Sequence, residues 1–190
     1  MRLFTGNISE EQRLIRGCVR GKPQFQEALY NKYYRKMFGV CMRYTQNRDV
    51  AEDVLQDGFI KVFKNIGSFK GKGSLEGWVR RIMVNTALEH HRKQAKMYPV
   101  VDLDQAMDED AGHDIVAKMS SDEILELIQA LPPGFRTIFN LYAIEGFTHR
   151  EIAEKLGISE GTSKSQLARA RAALQESIHR LREEAYGAAK

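Results

Sequence analysis

The sequence predicts an all-α protein with two small helical domains that are joined by an acidic, flexible linker. Apolar residues recur at helical spacing along almost the whole chain, and no segment alternates apolar and polar residues as a half-buried strand does. Residues 99–117 interrupt this pattern with six acidic residues, no lysine or arginine and no sustained apolar stripe. We therefore expect one domain at residues 1–98, the linker at 99–117 and a second domain at 118–190.

The first domain is predicted to begin with two helices. Ser9 and Gln12 have the spacing of a capping box, which starts a helix that runs to about Arg20. A glycine and a proline within residues 21–23 separate it from a second helix, at about Gln24–Tyr44. The stripe of the second helix that faces the core is Phe25, Leu29, Tyr33 and Met37.

A third helix is expected at about Arg48–Ile66, with Asn47 as its N-cap. Its predicted inner side holds Val50, Val54, Ile60 and Phe63, and its outer side holds Asp49, Glu52, Asp53, Asp57 and Lys61. The helix is therefore expected to present an acidic surface to solvent or to a partner.

A basic loop follows the third helix. Residues 67–77 contain four glycines and two serines together with the cations Lys70 and Lys72. A fourth helix begins at about Leu75. Its Trp78 has the spacing of a core residue, and a ring that stacks on a nucleic-acid base is the alternative for the same position.

Composition limits the class of protein further. The hydrophobic fraction of 43% is ordinary for a globular protein, and no apolar run is long enough for a membrane span or a signal peptide, so we expect a cytoplasmic protein. Cys18 and Cys41 have no partner at metal-binding spacing, which predicts two buried thiols and no metal, cofactor or disulfide. The net charge is +10 over residues 1–98, −6 over the linker and 0 over residues 118–190. The first domain therefore either binds a polyanion or carries a solvated basic face.

The second domain contains the pattern of a helix-turn-helix at residues 146–171, after helices at about 120–131 and 135–144. Its elements are the capping box Thr148 and Glu151, the small residue Ala153, the turn residue Gly157 and the N-cap Ser159. The final helix is predicted to expose Lys164, Ser165 and Arg169 and to bury Leu167, Ala170, Leu174, Ile178 and Leu181. Such a basic face suits the major groove of DNA, and an ordinary solvated helix is the alternative.

From about Glu11 to Arg182 the chain resembles an extracytoplasmic-function (ECF) RNA polymerase sigma factor of the sigma-70 family. Residues 131–171 are similar to sigma region four, which implies recognition of the minus-thirty-five, or upstream, promoter element. By that likeness the contacts to this element are Lys164, Ser165 and Arg169, supported by His149, Arg150, Thr162 and Arg171. Ser163 stands where the family commonly has valine and Gln166 where it commonly has arginine, so the recognised DNA sequence stays open.

The first domain resembles sigma region two. The resemblance implies that the third helix docks on the coiled coil of the polymerase beta-prime subunit through Asp49, Asp53, Leu55, Gln56 and Asp57, although a solvated acidic face would have the same sequence. It also implies that the loop and the fourth helix read and melt the minus-ten element, as a single strand with a flipped base, through Lys70, Lys72, Arg80, Arg81 and Asn85.

No phosphate-binding, dinucleotide-binding, zinc-protease or nucleophile-elbow motif occurs in the sequence, so we expect a protein that is not an enzyme. By the resemblance, the chemistry belongs to the polymerase. The expected partners are core RNA polymerase, promoter DNA and, as in many relatives, an anti-sigma factor. Two other classes stay open on the residues alone. The helix-turn-helix would act by itself in a stand-alone transcriptional regulator, and the basic faces would serve only solubility in an interaction protein.

Overall fold

The computed structural model describes residues 9–97 and 119–188, so the predicted linker lies outside the described residues. The all-α prediction is confirmed, and these two ranges contain no strand. None of the described helices has the length and apolar character that a membrane span needs. The helices are α1 Glu10–Val19, α2 Pro23–Tyr44, α3 Arg48–Asn65, α4 Leu75–Met97, α5 Ser121–Ala130, α6 Pro133–Phe139, α7 His149–Leu156 and α8 Glu160–Ala188.

The chain divides into two compact units. Unit 1 comprises Met1–Cys41 and Asp49–Ala87, and unit 2 comprises Met42–Arg48 and Leu88–Lys190. The turn between α2 and α3 therefore belongs to unit 2, as does the second half of α4. Within unit 2 the side-chain amides of Gln129 and Asn140 donate to the main-chain carbonyls of Met42 and Arg43, at 3.0 and 2.7 Å. These two bonds satisfy carbonyl groups at the C-terminal end of α2, which have no partner in their own helix.

Unit 1 is built around an apolar core shared by its helices. Fully buried members include Leu29, Met37, Leu55, Leu75 and Met83. Both cysteines are buried free thiols, as predicted. Helices α3 and α4 approach closely at Gly58, where a Cβ atom would lie 2.2 Å from the sulfur of Met83. A larger residue at position 58 would therefore require the Met83 side chain to move.

Two predictions about α3 are wrong. Ile60 is 49% exposed, although it was expected on the inner side, and Leu55 is 1% exposed, although it was expected to touch a partner. The buried residues of α3 are Ala51, Val54, Leu55, Gly58, Phe59 and Val62, so Val54 faces the core as predicted, but the centre of the buried face is rotated from the predicted one. This rotation turns Ile60 outward.

The core of unit 2 lies under α8 and includes Ile138, Leu141, Ile152 and Leu167. It also holds Arg136, which is 2% exposed and whose guanidinium donates to the carbonyl of Leu131 at 2.8 and 3.3 Å. Burial lowers the pKa of this arginine. The predicted helix at 135–144 ends as α6 at Phe139 and continues as a π-helical segment, Asn140–Ile144. Leu181, expected in the core stripe of α8, is 44% exposed and lies beyond the core.

We expect opposite effects from two glycine substitutions beside the turn of the helix-turn-helix. Gly157→Ala should lower the free energy of unfolding by about 1–2 kcal/mol, because Gly157 has a φ of 71°, which disfavours any residue with a Cβ atom. Gly161→Ala, inside α8, should raise it by about 0.5–1 kcal/mol, since its Cβ would meet only Ser159 Oγ, at 3.6 Å. Denaturant unfolding followed by circular dichroism measures both values. Equal effects of the two changes would contradict the left-handed turn.

Candidate nucleic-acid interface

The helix-turn-helix forms as predicted, and its turn is determined by local hydrogen bonds. Thr148 Oγ1 accepts from the backbone N–H of Glu151 at 3.3 Å, and Glu151 accepts in return from the backbone N–H of Thr148 at 2.8 Å. The bonds from Thr148 lower the pKa of the Glu151 carboxyl. At the other end of α7, Gly157 N–H donates to Ala153 at 2.8 Å, and Ser159 Oγ accepts from Thr162 N–H at 2.9 Å. These bonds end α7 at Gly157 and start α8 directly after Ser159.

The start of α8 presents cationic and hydroxyl side chains to solvent. Lys164 and Ser165 are exposed, and Arg169 is half-buried one turn further along. Two hydroxyls of the predicted contact set are already engaged. Ser165 donates to the carbonyl of Thr162 at 3.1 Å, and Thr162 Oγ1 lies 2.8 Å from Ser159 Oγ. Lys164 is therefore the predicted contact that the fold leaves most accessible on this face.

The other predicted contacts in unit 2 differ in their surroundings. Arg150 is exposed and lies 3.9 Å from Glu154 in an exposed ion pair that contributes little to stability. Arg171 is exposed, with its guanidinium 5.8 Å from the ring centre of Tyr142. His149 is half-buried, its ring stacks on Tyr142 at 4.5 Å, and its Nδ1 lies 2.9 Å from Ser163 Oγ. His149 thus contacts the protein on at least two sides.

The two departures from the common family pattern point into unit 2 and away from solvent. Ser163 is 0% exposed. Gln166 is half-buried, and its Oε1 would lie 3.2 Å from a Cβ atom placed on Gly134 of α6. Neither residue enlarges the exposed face of α8.

In unit 1 the basic loop borders a shallow cavity of about 360 Å³ that is largely open to solvent. Gly71 and Gly73 have φ angles of 69° and 86°, which bend the loop sharply and leave Lys70 and Lys72 exposed. The lining of the cavity comes from the loop and from α1, namely Phe69, Gly71 and Gly73 with Ser9, Glu11, Gln12, Ile15 and Arg16. The contribution of α1 was missed from the sequence, because no local pattern relates residues so far apart along the chain.

One face of α4 continues this surface. Trp78, Arg81 and Asn85 follow one another at spacings of three and four, so they share a face. Arg81 and Asn85 are exposed, whereas Arg80 is half-buried. Trp78 is half-buried and meets Phe69 of the loop with ring centres 5.7 Å apart. The ring thus packs against the loop and keeps part of its surface accessible. Trp78 is therefore neither a fully buried core residue nor a fully exposed stacking ring.

The outer side of α3 forms a separate surface, which we call the acidic face: Asp49, Asp53, Gln56, Asp57 and Ile60. Its four polar members are exposed, as predicted. Ile60 lies one turn beyond Gln56 and Asp57 and supplies the apolar component that the sequence analysis assigned to Leu55.

Comparison with protein-family models finds two matches in chain order. Residues 29–97 match the model for Sigma-70 region 2, and residues 121–174 match the model for Sigma-70, region 4. The first match contains the loop and the acidic face, and the second contains the helix-turn-helix.

Similar proteins extend the likeness over nearly the whole chain. The RNA polymerase sigma-H factor of Pseudomonas aeruginosa is 30% identical over 188 residues, which cover 93% of this chain and 97% of that protein. The ECF RNA polymerase sigma-E factor of Haemophilus influenzae is 30% identical over 183 residues, covering 90% and 96%. Among solved structures, the sigma factor RpoE in complex with the anti-sigma factor NepR, from Bartonella quintana, aligns with a TM-score of 0.48 at 22% identity. That alignment covers 79% of this chain and 94% of the other.

Proposed function

This chain belongs to the ECF group of the sigma-70 family of RNA polymerase sigma factors, which direct transcription initiation, and on that premise we propose how its surfaces divide the work. The acidic face binds core polymerase, the basic loop with α4 binds the minus-ten strand, and α8 binds the upstream element. Polymerase carries out the chemistry of RNA synthesis. The family likeness also implies an anti-sigma partner, which stays a prediction.

The exposed start of α8 is the observation that carries the upstream-element assignment. Lys164 and Ser165 stand in the first turns of a helix whose N-terminus is fixed by Ser159, and the early residues of a recognition helix reach base edges in the major groove. Arg169 and Arg171 lie further along the same helix, where cations neutralise phosphates.

The cavity between α1 and the loop supports the minus-ten assignment. Glu11 and Gln12 in its lining offer hydrogen-bond partners to a base edge. Exposed Lys70 and Lys72 stand beside it to receive the phosphates of a splayed strand. On α4, Arg81 and Asn85 extend the same polar surface, with the accessible part of Trp78 available for stacking.

A binding experiment with and without core polymerase tests the proposed function against a stand-alone regulator. We expect the pure chain to bind duplex promoter DNA weakly, and the holoenzyme to bind tightly and to start run-off transcripts from a genomic promoter library. Tight, sequence-specific binding by the chain alone, with no gain from core polymerase, would instead favour the stand-alone regulator.

Removing both loop lysines should flatten the salt dependence of strand binding. With Lys70→Ala/Lys72→Ala, the negative slope of log K against log[salt] for holoenzyme binding to a minus-ten single strand should decrease in magnitude by about 1.4, because two phosphates lose their counter-charges. Fluorescence anisotropy at several salt concentrations measures the slope. Open-complex formation should decrease in parallel, as should that of Asn85→Ala, while assembly with core polymerase should be unchanged.

The matched control is Lys22→Ala/Lys32→Ala, which removes the same charge from exposed positions outside the loop. If this control flattens the slope as much as the loop variant does, the lysines act only through net charge, and the loop assignment is wrong.

A further inference from the structure

Ser163 places a hydroxyl group at a fully buried position of α8. Its side chain is 0% exposed, so a small apolar residue would fill the site without the cost of burying a hydroxyl. That cost is offset by one contact between side chains, from Ser163 Oγ to His149 Nδ1 at 2.9 Å, which joins α8 to the first residue of α7.

The imidazole of His149 is held by two elements besides its own helix. Ser163 meets one edge of the ring, and Tyr142 of the π-helical segment stacks on its face, with ring centres 4.5 Å apart and planes inclined by 23°. Such contacts leave the ring little freedom to rotate about the bond to its backbone. Its orientation is therefore set by the packing of the helix-turn-helix.

The charges around the ring favour its neutral form. Burial lowers the pKa of His149, and the nearby cations Lys164 and Arg171 lower it further, against a smaller opposite effect of Glu160. A neutral imidazole has one nitrogen that donates and one that accepts. Which nitrogen carries the proton is decided by the hydrogen bonds that the two make.

We propose that Ser163 is a positioning residue: its hydroxyl donates to His149 Nδ1, which leaves the proton on Nε2 as a donor to a DNA phosphate of the upstream element. The inference rests on the proposed function of α7 and α8 in binding that element. In helix-turn-helix proteins the first helix crosses the DNA backbone, so a donor on the first residue of α7 is placed to meet a phosphate. The opposite tautomer would present the lone pair of Nε2, which a phosphate oxygen repels.

A double-mutant cycle on holoenzyme tests this role. Affinity is measured for one promoter with its upstream element intact and for the same promoter with that element scrambled, using wild type, Ser163→Ala, His149→Ala and the double variant. On the intact promoter we expect His149→Ala to weaken binding about tenfold and Ser163→Ala somewhat less, because a hydrogen bond to a charged phosphate is lost or misplaced. The double variant should bind like His149→Ala alone, and Ser163→Thr, which keeps the hydroxyl, should recover most of the affinity.

The outcomes separate this inference from the function on which it rests. Equal affinity of wild type for the intact and scrambled promoters would contradict upstream-element binding itself. A normal dependence on that element, combined with a Ser163→Ala loss that persists in the His149→Ala background, would overturn only the positioning role. If Ser163→Ala lowers both the affinity and the melting temperature, in the wild-type and in the His149→Ala background, the positioning role is also overturned, because the serine then acts only through the stability of the fold.

A spectroscopic measurement gives an independent test in the full-length chain. Long-range ¹H–¹⁵N correlation spectra with ¹⁵N-labelled histidine distinguish the two neutral tautomers, and His149→Ala identifies the signal. We expect the Nε2–H form for His149 above its pKa. The Nδ1–H form would overturn the proposal, because Nε2 would then be an acceptor.

Discussion

Reversing the charge of Asp53 should abolish stable assembly with core polymerase while leaving the binding of the chain to a minus-ten single strand largely intact. Asp53 is exposed near the middle of the acidic face, with Asp49 one turn before it and Asp57 one turn after it. Asp53→Arg replaces a charge that attracts a basic partner surface with one that repels it. A reversed charge that becomes desolvated in an interface costs several kcal/mol, which is a loss of roughly a thousandfold in affinity.

Titration of core polymerase with fluorescent sigma factor measures this loss. Glu27→Arg is the matched control, because it makes the same change of charge at an exposed position of α2 in the same unit. Circular dichroism should show that both variants keep their helices, since neither position is buried. If Asp53→Arg assembles as well as Glu27→Arg does, the acidic face is a solvated surface and polymerase binds elsewhere.

Ile60 sharpens this assignment in a way that the sequence did not predict. Ile60 was expected on the inner side with Val54 and Phe63, but Ile60 follows Val54 by six residues, which places the two side chains about 120° apart around the helix. Helix α3 instead buries the face that carries Val54, Gly58 and Val62, and Gly58 packs against Met83 of α4, a contact between two helices that has no local sequence pattern. Ile60→Ala should therefore weaken polymerase binding with little effect on stability, whereas Leu55→Ala should destabilise unit 1 itself.

Features that depend on neighbouring residues were predicted well. The two predicted capping boxes at Ser9 and Thr148 form, and Gly157 adopts the left-handed conformation, because each depends on hydrogen bonds or backbone sterics within one helical turn. The contact between His149 and Ser163 spans two helices and was not predicted. His149 was expected on the DNA side, and Ser163 was noted only because the family commonly has valine at this position. Only the packing of α7 on α8 brings the two side chains together.

The burial of Arg136 was also beyond sequence reasoning. An arginine among apolar residues of a short helix is expected to extend toward solvent, since burying its charge is costly. In the fold it bonds a carbonyl at Leu131, just before the two prolines, so it satisfies a backbone group that the break between α5 and α6 leaves open. A cation in unit 2 can therefore contact DNA only if its side chain is accessible, and burial excludes Arg136 from the proposed interface.

Replacing both Lys164 and Arg169 of α8 by alanine should eliminate the contribution of the upstream element to promoter binding. Lys164→Ala and Arg169→Ala are each expected to cost about 1–3 kcal/mol, and the double variant up to the sum if the two contacts are independent. Lys164 is exposed and Arg169 half-buried, so unfolding must be measured as well, to separate lost contacts from lost packing. The measurement is holoenzyme affinity for promoters with intact and scrambled upstream elements.

Arg180→Ala is the matched control for Lys164→Ala, because it removes an exposed cation from the same helix about 24 Å further along. It should leave the preference for the intact element unchanged. The single variants also distinguish two kinds of contact. Loss of a base contact relaxes specificity at one position of the element, whereas loss of a phosphate contact weakens binding to all sequences alike and lowers the salt slope by about one. A double variant that still prefers the intact element over the scrambled one by the wild-type ratio would show that another surface of unit 2 reads the DNA.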